Sequence, residues 1–217
     1  MNLSITTYTL GNKRRKIDKE GVYMKARQTL PEQYKEIFSV NLQRDKKVAV
    51  FVNALALLIS AVMIVPMHFH IPIGTLFDMS QGLGPYTVRF VCLMVFIIIY
   101  MILHEFVHGI TMKIFGTKKV KYGFTGMYAF AGSDDYYDKK SYLIIALAPV
   151  VVWGLVLVVV NLFVPTEWFW VVYMIQVCNI SGAAGDMYVT AKFSRFPKDI
   201  LVRDSGIGMV VYSKEEI

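Results

Sequence analysis

Three residues near the middle of the chain have the types and the spacing of a metal site. His104, Glu105 and His108 form the sequence His-Glu-Phe-Val-His. Positions i and i+4 of a helix share one face, so both imidazoles can bind one ion. In this pattern the two histidines are zinc ligands and the glutamate is the general base for a water molecule. The sequence therefore predicts a zinc site with a base beside it.

The segments around this motif are typical of an integral membrane protein. Hydrophobic residues make up 55% of the chain and charged residues 18%, against roughly 25% charged residues in soluble domains. A membrane-spanning helix needs about 20 apolar residues. Four segments meet this requirement, and the second contains the metal motif: residues 48–67, 86–112, 142–164 and 168–190. We therefore predict an α-helical integral membrane protein with four transmembrane helices.

The distribution of lysine and arginine predicts the orientation of these spans. Of the 23 basic residues, 11 lie in residues 1–47, six in 113–141 and five in 191–217, whereas the two other connections have none. Lysine and arginine accumulate on the cytoplasmic side of a membrane. We expect a multi-pass cell-membrane protein with both termini in the cytoplasm, so that a cytoplasmic segment (1–47) and tail (191–217) flank a membrane domain (48–190). The same rule explains the net charge of +7 without a nucleic-acid partner.

The third zinc ligand is expected to be a carboxylate on the cytoplasmic side. His68 and His70 lie in a predicted external loop, across the bilayer from the motif. Asp186 lies about four residues, or roughly 6 Å, from the cytoplasmic end of the fourth span, and His108 has the same depth in the second. The small residues at 181–185 favour close packing of the two helices. The alternative ligands are three aspartates of the middle loop: Asp134, Asp135 and Asp138.

Asn179 is a candidate for a second role in the site. It precedes Asp186 by about two helical turns and shares its face. Its amide could orient a substrate or polarise a carbonyl group. A buried hydrogen bond between helices explains an asparagine in a span equally well, so the sequence leaves both roles open.

Outside the spans the sequence predicts three small elements. Residues 31–38 are typical of a short amphipathic helix with Pro31 at its first position. Residues 118–131 favour two short strands around Thr125-Gly126, although a loop folded on the membrane is the alternative. The tail at 200–212 reads as strand, Asp-Ser-Gly turn and strand. That hairpin either covers the site or lies on the surface.

These residues together resemble the site-2 protease class of intramembrane metalloproteases. In that class HExxH lies on the first of three core helices, and an aspartate on the third completes the metal site. The size, the sequence His-Glu-Phe-Val-His-Gly and the tail are still more similar to a small bacterial family of integral-membrane zincin peptidases of unknown function. The resemblance spans about residues 88–190 and implies a bacterial plasma membrane. It implies these roles: zinc ligands His104, His108 and Asp186, base Glu105, and substrate contact Asn179.

The function that this combination predicts is zinc-dependent hydrolysis of peptide bonds at or within the cytoplasmic side of the bilayer. The substrate would be a membrane protein or peptide, received as an extended segment by the strands of 118–131. One alternative is a metal-binding membrane protein or transporter without peptidase turnover, which a single ionisable cluster and the lack of repeated halves disfavour. The other is a catalytically silent zincin-like regulator, which an intact Glu105 disfavours.

Overall fold

Helices form most of the structure. The computed structural model describes residues 26–42, 44–126 and 128–214. Within these ranges three helices are long and apolar enough to cross a membrane: α1 (Lys46–His70), α2 (Leu83–Ile114) and α3 (Lys139–Phe163). Their ends lie within three residues of the first three predicted spans. These three spans are thereby confirmed as apolar helices of sufficient length.

The predicted fourth span is divided into two helices. α4 (Thr166–Gly182) is separated from α5 (Ala184–Ser194) by the single residue Ala183. α4 has 17 residues, fewer than the roughly 20 that a spanning helix needs. The break falls in the small-residue stretch at 181–185, where two glycines lower the helix propensity. A set of four continuous spanning helices is therefore not confirmed.

The helices pack around α4. α3 and α4 form a pair joined by a short turn at Val164 and Pro165, and α2 packs against both of them. α1 packs against α4 and α5. α1 has no fully buried residue, and it exposes large aliphatic side chains such as Leu57 and Leu58. An apolar surface of this extent is typical of contact with lipid.

Strands from distant parts of the chain form two antiparallel sheets. The bounds of the strands are β1 (Lys35–Val40), β2 (Lys121–Phe124), β3 (Ala129–Gly132), β4 (Tyr136–Asp138), β5 (Leu201–Asp204) and β6 (Met209–Ser213). One sheet has the order β1-β6-β5-β4, and the other is a hairpin of β2 and β3. The hairpin that follows the metal motif and the hairpin in the tail are both confirmed.

The helix predicted at residues 31–38 is wrong. Pro31 begins a turn, in which the backbone N–H of Tyr34 donates to the Pro31 carbonyl across 3.0 Å. β1 follows and pairs antiparallel with β6, with Val40 opposite Met209. Phe38 packs against two aromatic rings near the end of α5. Tertiary pairing with the tail thus outweighs the local helix propensity.

The main core lies where the four-stranded sheet meets α5 and the adjoining ends of α2 and α3. Its fully buried members include Tyr137, Tyr142, Phe193, Ile200, Val202 and Val211. Because these side chains come from the middle loop, from α3, from α5 and from the tail, they hold α5 in one place beside α2 and α3. The position of α5 determines what its first turn can reach.

Candidate metal centre

One face of α2 carries Tyr100, His104 and His108 at intervals of four residues. The first turn of α5 brings Asp186 against this face. The Oδ2 atom of Asp186 lies 3.6 Å from Nε2 of His104 and 3.7 Å from Nε2 of His108. One potential ligand atom from each residue lies within 4.8 Å of the others. The structure thus brings the three predicted zinc ligands together.

The hydrogen bonds of Tyr100 determine which nitrogen of His104 carries the proton. The Asn179 amide nitrogen donates to the carbonyl of Val150 across 3.2 Å, so its oxygen is directed at Tyr100. The Tyr100 hydroxyl donates to this oxygen across 2.9 Å, because an amide oxygen can only accept. The hydroxyl oxygen must then accept from Nδ1–H of His104, which lies 2.8 Å away. Nε2 of His104 therefore keeps a lone pair beside Asp186.

A proline in α3 leaves a backbone carbonyl available to orient His108, as Tyr100 orients His104. Nδ1 of His108 donates to the carbonyl of Ile145 across 2.9 Å. In a regular helix this carbonyl would accept the backbone N–H four residues later, but Pro149 occupies that position and has no N–H. The Ile145 carbonyl is therefore available to the histidine. Because a carbonyl can only accept, Nε2 of His108 also keeps its lone pair.

This donor set fits a zinc ion. Two imidazole nitrogens and one carboxylate oxygen are a common ligand set of catalytic zinc, in which a fourth position stays open. The hydrogen bonds at both Nδ1 atoms are those that usually orient metal-binding histidines. Two nitrogen lone pairs and a carboxylate oxygen that share one small space repel one another, and a cation between them removes that repulsion.

Glu105 lies beside the ligands in a cavity of about 460 Å³. Its carboxylate accepts a hydrogen bond from the backbone N–H of Ala131 in β3. The other strand of this hairpin also lies against α2, because a Cβ atom at Gly109 would collide with the hydroxyl of Tyr122 in β2. The glycine that follows the metal motif thus lets the β2–β3 hairpin pack against α2, and the hairpin holds β3 next to Glu105.

The tail hairpin forms another part of the cavity wall through Asp204 and Ile207. The Asp204 carboxylate accepts hydrogen bonds from the Tyr142 hydroxyl at 3.0 Å and from the backbone N–H of Gly206 at 2.8 Å. Burial raises the pKa of Asp204 to about 6. The backbone carbonyl of Asp204 accepts from the N–H of Ser133, just after β3, across 2.7 Å. The tail is thereby fastened to both α3 and the end of β3.

The loop aspartates make other contacts. Asp134 pairs with Lys121 at 2.6 Å and with Arg203 at 3.1 Å, and hydrogen bonds from these two side chains lower the pKa of Asp134. Asp138 accepts hydrogen bonds from two backbone N–H groups in the first turn of α3. Within the part of the chain that the structure describes, the one group with metal-binding spacing is His104, His108 and Asp186.

Asn179 is fully buried, and its amide links α4 to α2 and α3. Of the two roles that the sequence left open, the structure contains the hydrogen bond between helices, and the contact with substrate stays a prediction. Sequence reasoning missed Tyr100 and Pro149. Tyr100 had a signal, since it precedes His104 by four residues on the same face. Pro149 had none, because its effect depends on which α3 carbonyl faces α2.

Comparison with known protein families gives one match. The model of a family described as "Putative zincin peptidase" matches residues 97–201. The matched segment is just under half of the chain, and it contains the HExxH motif, Asn179 and Asp186. The chain is thus similar to a zinc-peptidase family over the segment that holds every predicted site residue. No curated protein and no solved structure matches the chain.

Proposed function

We propose that the protein is a zinc-dependent peptidase that hydrolyses peptide bonds at or within the cytoplasmic side of a membrane. The observation that carries this proposal is the convergence of His104, His108 and Asp186 in one cavity with Glu105. The similarity of residues 97–201 to a zincin family supports peptidase chemistry. The resemblance of the motif pattern to site-2 proteases supports a membrane setting.

The side chains of the cavity have separate roles in the proposed reaction. A zinc ion held by the two histidines and Asp186 would lower the pKa of a water molecule and polarise the scissile carbonyl group. Glu105 takes a proton from the attacking water and passes it to the leaving amine. The backbone N–H of Ala131 keeps the Glu105 carboxylate oriented for this transfer. Tyr100 and the carbonyl of Ile145 hold the two imidazole rings in position.

The free edge of β3 is suited to an extended substrate. β2 pairs with one edge of β3, and among the described residues this sheet has two strands. Backbone groups of successive residues in a strand point to opposite edges, so those of every second residue share one edge. Because the Ala131 N–H is directed to Glu105, the backbone groups of Ala129 also face the cavity. A substrate segment paired with this edge lies beside the base, and a transmembrane substrate must unwind before it can pair.

The charge pattern supports cleavage on the cytoplasmic side. Leu42 and Ala49 line the cavity, and between them stand Lys46 and Lys47 at the start of α1. His68 and His70 lie at the other end of this helix. Since lysine and arginine mark the cytoplasmic side of a membrane, the cavity lies close to the cytoplasmic surface. The helices α1, α2 and α3 anchor the protein in the bilayer.

Cleavage of transmembrane peptides by zinc-loaded protein in proteoliposomes tests the proposal. Glu105→Gln keeps the ligands and removes the base, so we expect a loss of at least about a hundredfold in cleavage rate, measured by mass spectrometry of the products. Glu167→Gln, at the remote start of α4, is the matched control and should cleave as the wild type does. Unchanged cleavage by Glu105→Gln would contradict the mechanism. Zinc binding without cleavage of any peptide would favour a metal-binding protein without turnover.

A further inference from the structure

The cavity of the metal centre has a second wall, on α1, that the mechanism above does not use. Ala49, Val52, Asn53 and Ala56 all line this cavity. Their spacing of three and four residues places them on one face of the helix. Asn53 is the single polar member of this face. α1 lies outside the segment that matches the zincin family, so this wall is a feature of the chain beyond the family match.

The amide of Asn53 is available to a ligand. Ser60, the other polar residue in the apolar part of α1, donates to the carbonyl of Ala56 in its own helix across 2.9 Å. Asn53 is exposed and has no hydrogen-bond partner among the described residues. Its amide therefore faces the cavity with a donor and an acceptor that the protein does not use. A group that enters the cavity can provide the missing partner.

We propose that Asn53 binds the backbone of the extended substrate, an assignment that rests on the peptidase function proposed above. A side-chain amide has both a donor and an acceptor, which complement the carbonyl and N–H of a peptide group. The acyl chain of a lipid offers neither. The edge of β3 at Ala129 and Ala131 lines the same cavity. The substrate backbone therefore has hydrogen-bond partners on two walls, the strand edge and Asn53, while the reacting bond lies beside Glu105.

Binding of two hydroxamates to detergent-purified, zinc-loaded protein tests this role. Acetohydroxamate contains only the metal-binding group, whereas a hydrophobic dipeptidyl hydroxamate adds peptide groups. We expect Asn53→Leu to weaken the dipeptidyl compound about 5- to 10-fold, as the loss of one uncharged hydrogen bond does, and to leave acetohydroxamate unchanged. The control is Asn161→Leu, the same change on α3 at a residue that does not line the cavity, and it should alter neither affinity.

The outcomes separate this assignment from the metal centre itself. Equal affinity of wild type and Asn53→Leu for the dipeptidyl compound would overturn the assignment and leave the metal centre standing. Equal weakening of both compounds in Asn53→Leu would mean that the residue supports the metal centre or the fold, which also overturns it. Failure of acetohydroxamate to bind the wild type would overturn the proposed peptidase centre, and the role of Asn53 with it.

Discussion

The Tyr100 hydroxyl accepts a hydrogen bond from Nδ1 of His104 across 2.8 Å, and this bond selects the tautomer that can bind a metal. The selection depends on a third helix, because the amide oxygen of Asn179 in α4 accepts the one hydrogen bond that the hydroxyl can donate. Without Asn179 the hydroxyl could donate to Nδ1 instead, and Nε2 would then carry a proton. The protonation state of one ligand is thus determined by contacts among three helices.

Tyr100→Phe is expected to weaken zinc binding about 10-fold or more, because removal of a hydrogen-bond partner behind a metal ligand typically has this effect. Chelator competition on the purified protein measures the affinity. The matched control is Tyr173→Phe, since the Tyr173 hydroxyl donates to the carbonyl of Met63, away from the centre. Equal zinc affinity of Tyr100→Phe and the wild type would show that the tautomer is set in another way.

Pro149→Ala restores a backbone N–H that competes with His108 for the carbonyl of Ile145. We expect zinc affinity to fall about 3- to 10-fold, in the lower part of the range for changes behind a ligand. Alanine is the better helix former, so thermal stability of the zinc-free protein should not fall. Weaker zinc binding without a loss of thermal stability would show that the orientation of His108 has changed while the fold is intact. Pro66→Ala in α1 should leave zinc affinity as it is, and an unchanged affinity in Pro149→Ala would contradict the account.

Asp204 is expected to make stability depend on pH. Its pKa is about 6 in the fold and about 3.8 ordinarily, so between these values the folded chain holds a proton that the unfolded chain has released. Stability that is present below pH 4 is therefore lost as the pH rises to about 6. Asp204→Asn cannot ionise, and thermal unfolding of the zinc-free protein should lose this part of the pH dependence. Asp134→Asn, at an exposed ion-paired site, is the control and should retain this pH dependence. If the stability of Asp204→Asn varied with pH as that of the wild type does, the prediction would be refuted.

Gly132→Ala is expected to separate β3 from the tail hairpin. A Cβ atom at Gly132 would collide with the backbone of Ser205 and Gly206, and backbone cannot move aside as a flexible side chain can. We expect a loss of about 1–3 kcal/mol in unfolding free energy, as overpacking typically causes, with faster proteolysis of the tail. Gly74→Ala is the control, since nothing lies near its added Cβ. Equal stability of the two variants would contradict the close contact.

The long helices could be predicted from sequence because uncharged runs of this length have few alternatives to a spanning helix. β1 could not, since its partner β6 lies at the other end of the chain and local propensity favoured a helix. The division between α4 and α5 was also missed. The small residues at 181–185 were interpreted as a packing surface, whereas the structure also ends a helix among them.

The same contrast holds for the candidate site. The spacing of His104, Glu105 and His108 predicts their shared location, because a helix converts sequence spacing directly into geometry. Asp186 needed an argument from depth in the bilayer together with a family resemblance. The carbonyl of Ile145 and the N–H of Ala131 had no signal, because backbone groups are the same in every residue and only the packing of elements brings them to the site.

Zinc content of detergent-purified protein is the most direct test of the metal centre. We expect about one zinc ion per chain in the wild type, as a single three-ligand site requires. His104→Ala and Asp186→Ala should both lose it, whereas Asp135→Ala, at an aspartate outside the metal-binding group, should retain it. Full zinc content in Asp186→Ala, or no zinc in the wild type after supplementation, would contradict the site described here.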